Sequence, residues 1–105
     1  MIIINGLKWR IEYVPPFHPF LNDGRNYPAL GCCDKTSQTI CINDTIPIES
    51  IRLVLCHEIV HAAMYSYGID LSYQEEELVA ELISHYGEEI VSLTNIVYNN
   101  HSLKK

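Results

Sequence analysis

Apolar and polar residues alternate in two rhythms along this chain, a strand rhythm over the first 43 positions and a helical one thereafter. Ile2-Ile3-Ile4 and Leu7 to Val14 flank Asn5-Gly6, and that dipeptide between apolar runs is a strong hairpin signal. The stretch from Pro15 through Pro28 is rich in proline, glycine and asparagine and reads as a loop. Two further short strands are predicted near Leu30 to Cys33 and Thr39 to Asn43, on either side of the polar turn Asp34-Lys35-Thr36-Ser37-Gln38.

From Ile46 the period changes to that of a helix. Asp44 or Thr45 can cap its start, Pro47 suits the first turn, and Gly68 suits the position just past the end. Apolar residues cover more than one face of this segment, so it should be largely buried. After a loop from Gly68 to Ser72, a second amphipathic segment is predicted from Tyr73 to Tyr86. On its apolar stripe Glu75 aligns with Leu78, Val79 and Leu82, Glu76 lies on the edge above Val79 and Ile83, and Glu77 points away. Asn99 to Lys105 reads as a polar tail. The class is α+β, a small antiparallel or mixed sheet of an N-terminal hairpin plus two short strands packed on two helices.

Composition narrows the picture. At 105 residues the chain is one small domain, 1–105, with room for a single modest core. No apolar run approaches the roughly twenty residues of a membrane helix, and no basic leader precedes a cleavable apolar region, so a cytoplasmic protein is expected. A net charge of −6 argues against direct nucleic-acid binding, which calls for a basic surface. Cys32, Cys33, Cys41 and Cys56 lack C-x-x-C spacing and read as reduced, inert thiols.

The chemistry is concentrated in the first helix. His57-Glu58-Ile59-Val60-His61 is an H-E-x-x-H motif, a pattern that chance produces roughly once in a few hundred chains of this length. Residues four apart project from one helix face, so both imidazoles can reach one metal ion, with Glu58 beside them as a base for water. A third protein ligand is needed if a fourth position is to stay open for water. Spacing leaves that ligand open among Glu75, Glu76 and Glu77, with Glu81 and His85 on the flank. A solvated first turn complementing the helix dipole is the expected fate of at least two of the three adjacent acids.

These features together resemble the small H-E-x-x-H proteins of phages and mobile elements that belong with the ImmA/IrrE-type metallopeptidases. The resemblance runs from the hairpin at Ile2 to Ile11, through Gly31-Cys32-Cys33-Asp34 and Gln38 to Ile42, to the motif helix and the opening Glu76-Glu77-Leu78-Val79 of the second helix. It implies a minimal zincin-like fold with zinc held by His57, His61 and a downstream glutamate, for which it favours Glu76. Glu81 is then a carboxylate supporting the ligands, and Glu58 is the catalytic base.

The implied activity is zinc-dependent hydrolysis of a peptide bond in a specific protein, with a repressor as the candidate substrate. The alternative is a catalytically weak, zinc-containing regulatory or binding protein of a phage or mobile element. Thr39 to Asn43 is the expected edge strand for an extended substrate. Tyr65, Tyr67, Tyr73, Tyr86 and His85 are available as oxyanion stabilisers.

Overall fold

In a computed structural model, which describes residues 1–24 and 26–103, the chain forms four strands followed by two helices. Strands β1 (Ile2–Ile4) and β2 (Leu7–Val14) make the expected hairpin. Asn5 and Gly6 both have positive φ, 47° and 81°, as a two-residue turn matched to the strand twist requires. Strands β3 (Gly31–Asp34) and β4 (Thr39–Asn43) make a second antiparallel pair. The two pairs join through β2 and β4, which run parallel, giving a mixed sheet in the order β1-β2-β4-β3.

The strand expected at the edge, Thr39–Asn43, is therefore interior, and each of its five residues is buried. The reason is the connection after Val14: the loop returns the chain to the far side of the sheet, and β4 then inserts beside β2. Strand β3 takes the edge instead.

Helix α1 (Ile48–Ser66) covers one face of the sheet, where Trp9, Ile40, Ile42, Val54 and Ala62 form the core. Pro47 occupies the cap position without a side-chain hydrogen bond, while the hydroxyl of Thr45 donates to Asn43 Oδ1 instead of capping the helix. At the other end Gly68, with φ of 66°, donates to the Tyr65 carbonyl and Ile69 donates to that of Met64, a Schellman termination. Two bonds fasten this end to the hairpin. Trp9 Nε1 donates to Ser66 Oγ and Asn5 Nδ2 to the Ser66 carbonyl, each at 2.9 Å. On the opposite sheet face, the loop carrying the 3-10 turn Pro19–Leu21 packs Leu21 against Val14 and Cys41.

Helix α2 (Tyr73–Leu103) runs on past the amphipathic segment Tyr73 to Tyr86 and takes in residues 99–103, expected as a polar tail. Lys104 and Lys105 lie outside the described residues. Its first half packs on α1 through Val60, Met64 and Ala80, with Val79 and Leu71 alongside. Pairings of residue 61 with 76, 57 with 81 and 52 with 88 show the two helices running antiparallel. The α+β class and the mixed sheet with two helices are as expected, layered as sheet, α1, α2.

Candidate metal centre and catalytic cleft

The face that α2 turns toward α1 is not the one its aliphatic residues mark out. Leu78 is 71% exposed and Leu82 50%, whereas Glu76 and Ala80 are buried. The reason lies across the interface. His57 and His61 present four ring nitrogens there, and burying an imidazole without partners costs more than exposing two leucines. Carboxylates meet all four nitrogens.

Glu77, expected to point away, stands between the rings. Its Oε1 lies 2.6 Å from Nε2 of His61 and its Oε2 lies 3.4 Å from Nε2 of His57. The remaining nitrogens have a carboxylate each: Nδ1 of His61 is 2.6 Å from Oε1 of Glu76, and Nδ1 of His57 is 3.0 Å from Oε1 of Glu81. Glu76 was expected beside the metal-facing nitrogens. Its carboxylate instead holds the other nitrogen of His61, and Lys35 Nζ approaches it to 3.5 Å from the turn between β3 and β4. The shared acidic run explains this: a helix turns 100° per residue, so neighbouring glutamates reach opposite sides of one ring.

Glu75 is occupied elsewhere. Its backbone N–H donates to Ser72 Oγ and its Oε1 accepts from the Ser72 N–H, a reciprocal capping box that also holds its carboxyl below the usual range. The Ser-x-x-Glu spacing at 72–75 carried that signal in the sequence, and it would have removed Glu75 from the candidate ligands.

Glu58 lies in the same cleft as the histidine pair, under strand β3. A Cβ on Gly31 would stand 2.8 Å from Val54 Cγ1, 3.1 Å from Glu58 Cγ and 3.2 Å from Glu58 Oε2, so only glycine lets the edge strand pass this close. Burial raises the Glu58 carboxyl to about 7; His57 opposes the rise and Glu77 adds to it. That value suits a group that must both take and return a proton near neutral pH. Cys33 and Cys32, also in the cleft, are pushed up to about 12 and 11 by burial and by the Glu58 charge. Both are thiols rather than thiolates near neutral pH. Cys32 pairs with Cys41 across β3 and β4, and all four cysteines are free.

The cleft encloses about 850 Å³ between β3, α1 and the start of α2. Besides the acids and histidines, Phe20, Tyr27 and Leu30 line it, as do Tyr73 and His85. Of the five expected oxyanion candidates, these last two reach it. Tyr65 packs edge-on against Trp9 instead.

No protein-family model, curated protein or solved structure matches this chain.

The donor set itself can be tested for a metal. Nitrogens of His57 and His61 and an oxygen of Glu77 all lie within 4.8 Å of one another. Two imidazoles and one carboxylate are the N and O donors that suit zinc. Glu76 and Glu81 hold the Nδ1 atoms, and an Nδ1–H donated to a carboxylate leaves each Nε2 lone pair free to bind a cation. Among the described residues, the cleft is lined by five carboxylates, Asp23, Glu58, Glu76, Glu77 and Glu81, and by one lysine, Lys35. The site fits a divalent metal.

Proposed function

We propose that this chain is a zinc-dependent metallopeptidase with a minimal zincin-like fold, akin to the ImmA/IrrE-type proteins, that hydrolyses a peptide bond in a specific protein. The observation that carries this reading is the convergence of His57, His61 and Glu77 on one point beside a buried glutamate of raised pKa. In it His57, His61 and Glu77 hold the metal. Glu76 and Glu81 orient the rings, and Glu58 is the base.

A zinc ion in that position supplies Lewis acidity, polarising a carbonyl and making water easier to deprotonate. The chain's own groups do the rest. An extended peptide adds to the free edge of β3, the strand that borders the cleft, by main-chain hydrogen bonds. Gly31, without a side chain, brings that backbone over Glu58. Glu58 accepts a proton from the attacking water and returns it to the departing amine, and its burial keeps the two protonation states close in free energy. Phe20, Tyr27 and Leu30 give the substrate an apolar wall. Tyr73 and His85 offer donors toward the developing oxyanion.

The test begins with metal content. Purified protein is expected to hold about one zinc per chain, with zinc lost in Glu77→Ala and retained with weakened affinity in Glu76→Ala. Zinc lost equally in both variants would return Glu76 to the ligand set. No zinc in the wild type after reconstitution would end the hydrolase reading. Glu58→Gln should keep the metal and lose turnover of its protein substrate; undiminished cleavage by that variant would remove Glu58 from the base role.

A further inference from the structure

The second half of α2 has work beyond holding carboxylates. Arg52 pairs with Glu88 near the start of α1, and past about residue 91 the helix runs on exposed, beyond the reach of α1 among the described residues. It carries Ile83, Tyr86, Ile90, Leu93 and Val97, spaced alternately three and four residues apart, the seam of a two-stranded coiled coil. These five side chains are between 41% and 68% exposed. A shallow groove lined by Leu93, Thr94, Val97, Tyr98 and His101 borders the seam.

We propose that this helix is a dimerisation element and that a second copy of the same chain, running antiparallel, covers it. Two observations select that occupant. The first is area: with Leu82 and Ile96 beside the seam, seven half-exposed large apolar residues offer several hundred Å² per chain, near the roughly 800 Å² per partner of a standard interface. The same patch on both chains makes the interface self-complementary.

The second observation is charge. All 13 aspartates and glutamates lie at or before Glu89, whereas His101, Lys104 and Lys105 are the only basic or acidic residues after it. A parallel pair would bring the two acidic bodies side by side. An antiparallel pair centred near Leu93 puts them at opposite ends and lays His101 of each helix along the stretch from Glu81 to Glu89 of the other. The catalytic clefts then face away from one another, at the two ends of the assembly.

The experiment is sedimentation equilibrium on the full chain across a range of concentrations, at low and high salt. A reversible dimer is expected, weakened by salt. Leu93→Glu and, further along the free helix, Val97→Glu should each raise its dissociation constant at least about tenfold, with zinc content and helical circular dichroism unchanged to show that the monomer is intact. Lys104→Glu/Lys105→Glu should weaken it less. A wild type that stays monomeric at about 100 µM, or a dimer indifferent to both seam variants, would overturn the proposal. A dimer tightened by salt or by the double lysine change would overturn its antiparallel sense.

Discussion

The two helices contribute to the same site in opposite ways. Helix α1 is held on both sides, by the sheet through Val54 and Ala62 and by α2 through Val60 and Met64, and its end is clamped at Ser66. Its motif side chains stand on a scaffold with little freedom to shift. Helix α2 touches α1 along one stripe and presents acids there, while Leu78 and Leu82 stay in solvent. Position on α1 is therefore set by packing, and on α2 by what the histidines require. A small fold can build a polar centre by fixing one partner and letting the other's polarity choose the interface.

That contrast can be broken most strongly at the donor atoms. His61→Ala should abolish stoichiometric zinc binding and, by emptying a buried position, lower the stability of the metal-free protein as well. Glu77→Ala should abolish zinc binding with the metal-free melting temperature nearly unchanged. Isothermal titration with zinc and calorimetry of the apo-proteins separate the two; equal destabilisation would show that α2 is fixed as firmly as α1.

Next in size is the cost of Glu58. Its carboxyl is raised from 4.5 to about 7 in the fold, so the folded state holds a proton that the unfolded chain gives up. Stability from this group is full below about pH 4.5 and is lost as pH rises through 7, a loss of about 3 kcal/mol. Metal-free Glu58→Gln should therefore be more stable than wild type at pH 8 by up to about 3 kcal/mol, with the gap closing toward pH 5. Urea unfolding at the two pH values is the measurement, and a pH-independent gap would contradict the assignment.

The supporting carboxylates come third. Glu76→Gln and Glu81→Gln should weaken zinc binding by about 10- to 100-fold. Glu76 should have the larger effect, because it is buried against His61 whereas Glu81 is exposed. Smallest is the exposed Arg52–Glu88 pair, 3.0 Å apart, where Arg52→Ala should cost under about 1 kcal/mol in the same unfolding assay.

Much of this was legible in the residue pattern. Asn5-Gly6 specified its hairpin, Thr39–Asn43 its strand, and Gly68 the end of α1, because each rests on local backbone preference. The H-E-x-x-H spacing put His57, Glu58 and His61 in one cleft for the same local reason. What failed was long-range. The interior place of β4 depends on a parallel pairing with residues 29 positions earlier, as between Arg10 and Thr39, which periodicity cannot report. The apolar stripe of α2 is not its buried face, so helical periodicity points Glu77 away from the rings it meets. Residues 99–103 at the end of α2 are mostly polar, so the residue pattern does not mark them as helix.

The Ser66 clamp bears on how the molecule assembles. Its partners, Asn5 and Trp9, are separated from it by 61 and 57 residues, and β2 cannot complete its pairing until β4 has followed. During synthesis the N-terminal hairpin must wait, with one edge bare, for most of the chain to appear. The histidines are thus drawn into register by contacts of high sequence separation, the kind that slows folding. Clipping the first ten residues should unseat the metal centre without touching a single one of its ligands.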